Sequence, residues 1–150
     1  MPIKKCLQKQ RQNVVTKRNQ IKHSYHFAKK YSRSKIVILE EYIPNDTFQI
    51  AGDGYVINGR LSFIGLAKEN FKKKNEVLPI GESFPFTKDK KLKKKIFNEI
   101  KRLIRKINFK FGAINLDIKI YKNRIFLMEI GPRNGGNLIP QAIKYYNNVD

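Results

Sequence analysis

The sequence has few of the residues that mark secreted or membrane proteins. It contains one cysteine, Cys6, so no disulfide can form within the chain. No apolar run approaches the roughly 20 residues that a membrane-spanning helix needs, and the first residues, MPIKKCLQKQRQ, lack the apolar stretch of a secretory signal. These absences exclude a disulfide-stapled secreted domain and a membrane protein, and they predict a cytoplasmic location.

Acidic residues are also scarce. The chain has 12 Asp and Glu against 32 Lys and Arg, a net charge of +20. A basic surface attracts polyanions, so nucleic acid is the first partner to consider. The excess consists of 24 lysines and only 8 arginines, although arginine is the better residue for bidentate recognition of phosphates and bases. A solvated basic face in a chain rich in Lys, Asn and Ile is therefore the favoured interpretation, and nucleic-acid binding is the alternative.

At 150 residues, with 41% hydrophobic residues, the chain is long enough for one folded domain with a single core. Apolar residues at a three-to-four spacing predict a helix from Asn19 to about Ser34. A second and clearer helix is predicted in DKKLKKKIFNEIKRLIRKINF, residues 89–109, whose apolar face consists of Leu92, Ile96, Ile100, Leu103, Ile104 and Ile107. Pro140 suits the first turn of a short final helix.

The strands are predicted from apolar runs and turn residues. The run KIVILEEYI, residues 35–43, is almost continuously apolar and predicts a strand buried on both faces. Asn58-Gly59 and Lys122-Asn123 predict the turns of two β-hairpins, and residues 69–87 are predicted to be a loop. The expected order is α-β-β-β-α-β-β-α, an α+β fold whose antiparallel sheet has flanking helices.

The stretch IFLMEIGPRNGGNLIP near the C-terminus combines a carboxylate, an arginine and two glycines. Pairing the last two strands about Lys122-Asn123 brings Asp117 near Glu129. Two facing carboxylates repel each other unless a cation lies between them, and Mg²⁺ is usually held by one or two carboxylates and substrate phosphates. Arg133, four residues past Glu129, is placed to reach the same phosphates. The alternative for this hairpin is an ordinary pair of solvent-facing acids.

The spacing from Asp117 through Glu129 to Arg133 and Asn134 resembles the C-terminal part of the ATP-grasp superfamily. This group includes biotin carboxylase, carbamoyl-phosphate synthase and many carboxylate–amine ligases. The segments VILEEYI, VLPIGESFPFT, FGAINLDIKI and EIGPRNGGNLIP follow in the family's order, so the resemblance covers roughly residues 20–150. It implies a partial ATP-grasp domain. Residues 1–43 would be a remnant of the smaller lobe that ends at the hinge strand, and residues 44–150 an incomplete C-terminal lobe.

The resemblance also implies roles for individual residues. Glu40 and Glu41 match the hinge acids beside adenine, and Ile43 matches the residue whose backbone N–H faces the purine. Asp117 and Glu129 match the Mg²⁺ carboxylates that bridge the β- and γ-phosphates. Arg133 matches the arginine that contacts phosphate or the acyl-phosphate intermediate. The implied cofactors are ATP and Mg²⁺, and the implied reaction is activation of a small-molecule carboxylate followed by attack of an amine.

Several positions depart from the family pattern. Many relatives have an asparagine two residues after the metal glutamate, where this chain has Gly131, and Asn134 is the candidate substitute. Thr47 or Asp46 occupies the position of the glutamate that holds the ribose hydroxyls in relatives, and only Asp46 is acidic. Lys68 either points toward phosphates, as basic residues do in relatives, or faces solvent. Lys4 aligns with the phosphate-binding lysine, but the neighbouring proline and loop glycines are missing.

These departures leave three functional interpretations. The first is an ATP-dependent carboxylate–amine ligase domain with impaired or no activity as a stand-alone fragment, whose partner would be a missing upstream domain or a second copy of the chain. The second is a basic module that binds nucleic acid or another polyanion, with affinity that falls steeply with salt. The third is a folded remnant without either activity.

Overall fold

The computed structural model describes residues 13–73, 76, 78–136 and 139–147. The chain forms two compact units, Met1–Tyr42 and Ile43–Asp150. Among the described residues no helix is long and apolar enough to cross a membrane. The helices and strands are, in chain order, α1 (Ile21–Tyr31), β1 (Phe48–Ile57), β2 (Arg60–Asn70), β3 (Gly81–Ser83), α2 (Lys90–Lys106), β4 (Gly112–Tyr121), β5 (Arg124–Gly131) and α3 (Ile139–Asn147).

The N-terminal unit contains the first predicted helix. A short 3₁₀ turn, Arg18–Gln20, leads into α1, which ends at Tyr31. The helix has no buried residue in its eleven positions. The predicted helix is confirmed, and it ends three residues earlier than the expected Ser34.

The prediction of a buried strand at residues 35–43 is wrong. The segment is not part of a strand, and Ile36, Ile38 and Leu39 are 72%, 81% and 77% exposed. A continuous apolar run is buried on both faces only when neighbouring strands and a covering layer accept it. Of the described residues, none pairs with this segment as a strand.

The C-terminal unit is built on one antiparallel sheet with the strand order β3-β2-β1-β4-β5. Both predicted hairpin turns are confirmed. Asn58 and Gly59 have φ of 50° and 72°, and Lys122 and Asn123 have φ of 48° and 59°, as expected for tight turns that match the twist of the strands. The α+β class with an antiparallel sheet is therefore confirmed.

The third strand before the long helix is β3 and not the predicted run at 35–43. β3 lies inside the region predicted to be a loop and pairs with the end of β2, Lys68 to Ser83 and Asn70 to Gly81. Its three residues carry no apolar alternation that would have predicted a strand.

Helix α2 covers one face of this sheet, which we call the α2 face. Asp89 caps the helix, because its side chain accepts hydrogen bonds from the backbone N–H groups of Lys91 and Leu92. Ile107, predicted on the apolar face of this helix, lies just past the helix end and is 47% exposed. The buried stripe is confirmed for Ile96, Ile100 and Ile104. Its residues pack with buried side chains from β1, β2 and β4 into the main core, which consists of Ile50, Val56, Leu66, Phe86, Ile96, Ile100, Ile104, Ile114, Leu116 and Ile118.

The opposite face of the sheet is only partly covered. Ile139 and Ile143 of α3 pack there against Ala51, with Phe63 and Phe84 at the margin. Gly65 allows this approach, since a Cβ at that position would overlap the side chain of Ile143. Most other side chains on this face are polar, and because several are acidic we call it the acidic face.

Removal of one core side chain tests the contact between α2 and the sheet. Ile100 is fully buried, so Ile100→Ala is expected to lower the free energy of unfolding by about 2–5 kcal/mol. Ile107, 47% exposed at the end of the same helix, is the control, and Ile107→Ala should cost less than about 1 kcal/mol. Urea denaturation of both variants measures the difference, and equal losses would contradict this packing.

Candidate metal and phosphate site on the acidic face

The alternation of β4 separates core residues from site residues. Ile114, Leu116 and Ile118 are buried on the α2 face, so Asn115, Asp117 and Lys119 lie on the acidic face. Asp117 is directly opposite Ala51 of β1 and Glu129 of β5. The predicted proximity of Asp117 and Glu129 is therefore confirmed.

A β-bulge in β5 sets this pairing. Counted from the turn, Ile118 pairs with Leu127, but Asp117 pairs with Glu129, so Met128 is the extra residue. Without the bulge Asp117 would oppose Met128, and Glu129 would share the α2 face with Leu127. The bulge re-aims the glutamate onto the acidic face while Leu127 remains against the core.

Asp117 is held in an unfavourable electrostatic environment. Burial raises the pKa of Asp117, and the neighbouring negative charge of Glu129 raises it further. The positive charge of Arg133 acts in the opposite direction and lowers the pKa of Asp117. The pKa of Asp117 rises overall because burial and the repulsion from Glu129 outweigh the attraction to Arg133. A bound cation would stabilise the ionised form of Asp117 and so offset this cost.

Arg133 lies next to this pair in the glycine-rich turn. Its side chain passes over Gly131, where a Cβ would be 3.5 Å from its Cγ. Its guanidinium donates a hydrogen bond of 2.9 Å to the backbone carbonyl of Asn134. Both Arg133 and Asn134 are exposed. The turn thus places the positively charged guanidinium of Arg133 at the edge of the pair of Asp117 and Glu129. The role of Asn134 as a metal ligand stays a prediction.

A cleft of about 200 Å³ adjoins Asp117. Its charged lining consists of Glu69, Glu76, Asp117 and Lys119. The pKa of Lys119 is lowered by burial, against the opposing effect of Glu69 and Asp117, and its ammonium donates a hydrogen bond of 2.9 Å to Asn45 Oδ1. The sequence analysis missed Glu69 and Lys119. The sequence did contain a signal for Lys119. Side chains two residues apart on a strand share a face of the sheet, and Lys119 lies two residues from Asp117.

Glu69 lies directly opposite Glu82 of β3 on the acidic face. Burial first, and then the charges of Asp117 and Glu82, raise the pKa of Glu69 to about 7. Burial also raises the pKa of Glu82, with contributions from Asp53 and Asp117. Five of the twelve acidic residues of this strongly basic chain are therefore on one face of one sheet: Asp53, Glu69, Glu82, Asp117 and Glu129.

Asp53 is the most buried of these acids, at 5% exposure, and the sequence analysis missed it. Its Oδ1 accepts hydrogen bonds from the backbone N–H of Gly135, at 2.8 Å, and from the side-chain amide of Asn115, at 3.0 Å. Its Oδ2 is buried and has no hydrogen-bond partner among the described residues. Asp53 therefore ties the glycine-rich turn that carries Arg133 to strand β1.

The other predicted site residues lie elsewhere in the structure. Glu40 and Glu41 are exposed in the N-terminal unit, whereas Ile43 is buried at the start of the C-terminal unit. Asp46 is exposed in the turn before β1. Lys4 lies outside the described residues. The proposed contacts of these residues with adenine, ribose and phosphate stay predictions.

Lys68 is at a register position of the α2 face, opposite Ile50, and not on the face that carries Asp117. Its ammonium is 5.6 Å from the centre of the Phe48 ring. The rest of the Lys68 side chain is exposed to solvent. A phosphate contact by Lys68 stays a prediction that the sheet register alone does not favour.

The described residues contain no group of three or more His, Cys, Asp and Glu side chains placed to hold a metal ion. The acidic pair therefore offers two carboxylates at most. Two carboxylates suit Mg²⁺, which keeps waters or phosphate oxygens as its remaining ligands, and they do not suit a closed structural metal site.

The fold is that of part of an ATP-grasp domain. Among solved structures, the chain is similar to phosphoribosylglycinamide synthetase from Anaerococcus prevotii, with 18% identity and a TM-score of 0.69 over 85% of this chain and 32% of that one. It is also similar to a complex of biotin carboxylase with β,γ-ATP from Campylobacter jejuni, with 16% identity and a TM-score of 0.65 over 92% of this chain and 34% of that one.

A third similar structure is N5-carboxyaminoimidazole synthetase from Staphylococcus aureus, with 15% identity and a TM-score of 0.55 over 81% of this chain and 31% of that one. The chain thus spans about a third of the length of these solved proteins. No protein-family model and no curated protein matches the sequence. The similarity shows the fold of the chain.

The contact between Asp53 and Gly135 can be tested by adding one methyl group. A Cβ at Gly135 would lie 2.9 Å from Asp53 Oδ2 and 3.0 Å from Asn115 Nδ2, so both side chains would have to move. Gly135→Ala is expected to lower the free energy of unfolding by about 1–3 kcal/mol, because a buried carboxylate loses its donors. Gly136 is the matched control, since nothing lies within 4 Å of its Cβ position. An equal loss in the free energy of unfolding in Gly136→Ala would contradict the contact between Asp53 and Gly135.

Glu69 predicts a pH dependence of stability. Its pKa is about 7 in the folded chain and 4.5 as the ordinary value, so the folded state binds the proton more tightly than the unfolded state. Stability from this group is therefore highest below about pH 4.5 and is lost as the pH rises through about 7. Glu69→Gln should raise the Tm more at pH 8 than at pH 5.

Thermal denaturation of wild type and Glu69→Gln at these two pH values measures the effect. Glu99→Gln, at a helix position where the carboxylate pairs with Arg102 at 2.6 Å, controls for the loss of a surface acid. The same gain in Tm at both pH values would show that Glu69 does not titrate in this range.

Proposed function

We propose that the C-terminal unit binds the Mg²⁺-complexed phosphates of ATP on its acidic face. The observation that carries this proposal is the direct opposition of Asp117 and Glu129 across β4 and β5, with Arg133 beside them. A bulge in β5 is needed to create that opposition. Mutual repulsion costs the folded state energy that a structural role alone does not require.

The residues present fit Mg²⁺. Asp117 and Glu129 would provide the two carboxylates, and phosphate oxygens and water would complete the coordination. When bound, the ion would neutralise charge on the phosphates. Arg133 would contact the same phosphates from the glycine-rich turn, where its guanidinium is exposed and already oriented by the carbonyl of Asn134. Asp53 would hold that turn in place through Gly135.

The reaction that these groups would serve is ATP-dependent activation of a carboxylate, followed by attack of an amine to form a C–N bond. The resemblance in the sequence and the ligase-type structures with the same fold support this assignment. Arg133 is the proposed catalytic residue, because positive charge beside the transferred phosphoryl group stabilises its transition state. The adenine side would use Glu40, Glu41 and Ile43. The small-molecule carboxylate and amine and a cytoplasmic location are parts of the same proposal.

Calorimetric titration with ATP, with and without Mg²⁺ at about 0.15 M salt, tests the proposal. Wild type is expected to show saturable binding that requires Mg²⁺. Asp117→Asn and Glu129→Gln should each weaken it by about tenfold or more, since each removes a charged ligand. Glu82→Gln, also on the acidic face but outside the pair, should leave binding unchanged or slightly tighter.

A second readout separates a binding role from a structural one. Because the ionised form of Asp117 is disfavoured in the folded chain, Asp117→Asn should raise the Tm of the nucleotide-free protein at pH 8 while it weakens Mg²⁺-dependent binding. Mg²⁺-dependent binding that survives in both pair variants would exclude this site. The absence of binding in wild type would overturn the proposal and leave a folded remnant or a polyanion binder.

A further inference from the structure

Helix α2 carries an unusual concentration of positive charge. Its 17 residues, KKLKKKIFNEIKRLIRK, include nine Lys and Arg and one acid, Glu99. Glu99 is paired within the helix to Arg102 at 2.6 Å. The helix is thus strongly cationic, and its buried stripe is entirely apolar.

Eight of these nine basic residues are ordered into two rows, and the ninth, Lys93, is half-buried beside the apolar stripe. At about 3.6 residues per turn, Lys90, Lys94, Lys101 and Arg105 form one row along the helix. Lys91, Lys95, Arg102 and Lys106 form the neighbouring row. All eight are exposed, and together they lie opposite the buried stripe of Ile96, Ile100 and Ile104. We call these eight residues the basic face of α2.

The sheet separates this basic face from the acidic face. Five of the twelve acidic residues lie on one side of the sheet, and α2, with a single acid, covers the other. A lysine-rich composition by itself predicts basic residues everywhere and does not predict that acids avoid one helix. The basic face extends along the 17 residues of the helix, about 25 Å at about 1.5 Å each, in two clusters separated by the segment from Ile96 to Ile100, which has no Lys or Arg.

The composition of the basic face selects its partner. Among the residues of α2 no apolar side chain is classed as exposed, so the helix has nothing to insert into a lipid surface. Its one aromatic residue, Phe97, is half-buried, so the helix lacks the stacking platform of single-strand binders. Six of the eight members of the basic face are lysine, which suits attraction to a phosphate backbone more than recognition of bases.

Two parallel rows on the flanks of one helix match phosphates on both walls of a groove that admits a helix. The major groove of B-form DNA, about 12 Å wide, does so, whereas the major groove of A-form RNA is too narrow. We propose that the basic face of α2 binds the phosphate backbone of duplex DNA without sequence preference. This function is separate from the proposed nucleotide site, which lies on the other face of the sheet.

Fluorescence anisotropy of a labelled DNA duplex of about 20 bp, titrated with the full chain at several salt concentrations, tests the proposal. The test variant carries Lys90→Gln, Lys94→Gln and Lys101→Gln, all in one row of the basic face. The control variant carries Lys22→Gln, Lys30→Gln and Lys72→Gln, which removes the same charge from exposed positions outside α2. Glutamine preserves helix propensity, so both variants should remain folded.

Saturable binding is expected for wild type, with affinity that falls steeply as salt rises. The α2 variant should bind about tenfold more weakly or worse. Its salt slope should fall by about 2–3, because each phosphate that a lysine neutralises contributes about 0.9 to the slope. The control variant should bind less than about threefold more weakly than wild type. Asp117→Asn should leave DNA binding unchanged even if it abolishes nucleotide binding, so the two proposals can fail separately.

Three results would overturn the proposal. Equal weakening in the two triple variants would show diffuse attraction to the whole positive surface. Equal or tighter binding of an RNA duplex, or of vesicles containing phosphatidylserine, would show that duplex DNA is not the preferred partner. The absence of saturable binding at about 0.15 M salt would show that the basic face is only solvated.

Discussion

The pairing of β4 with β5 is the constraint on which the candidate site depends. Side chains alternate along a strand, so a single register shift moves every residue to the other face. The bulge at Met128 interrupts this alternation once, between Leu127 on the α2 face and Glu129 on the acidic face. One strand therefore packs Leu127 and Ile130 against the hydrophobic core and also places Glu129 opposite Asp117. The core under α2 and the candidate Mg²⁺ site are built by the same backbone.

The same sheet keeps two opposite electrostatic environments apart. On the acidic face, burial and mutual repulsion raise the pKa of Asp117, Glu69 and Glu82 even though the chain as a whole carries +20. If the acids served only to balance charge, pairing with the abundant lysines would be the lower-energy arrangement. Their concentration on one face, with Asp53 buried beneath the glycine-rich turn, is instead the arrangement expected where a cation or a hydrogen-bond donor completes the site.

Much of the fold could be predicted from the sequence because the signals are local. Asn58-Gly59 and Lys122-Asn123 fix tight turns through their own φ preferences, and α2 has a cap and an apolar stripe in one continuous segment. The prediction of a buried strand at residues 35–43 is wrong because burial requires neighbouring strands, and the apolar run does not specify them. The short strand β3 was missed for the same reason, since only its pairing with the end of β2 makes it a strand.

The candidate site was predictable only in part. Asp117 and Glu129 were found because the hairpin turn brings their strands together, but counting from that turn opposes Asp117 to Met128, and the bulge that corrects the register has no signature in the sequence. Asp53 could not be found, because its partner Gly135 is 82 residues away and glycine is required there by the closeness of a carboxylate. The hydrophobic core requires neither the bulge in β5 nor the contact between Asp53 and Gly135. Each of these features lowers the stability of the folded chain: the bulge at Met128, the buried carboxylate of Asp53 and the glycine at position 135. Together they place Arg133 beside Asp117 and Glu129.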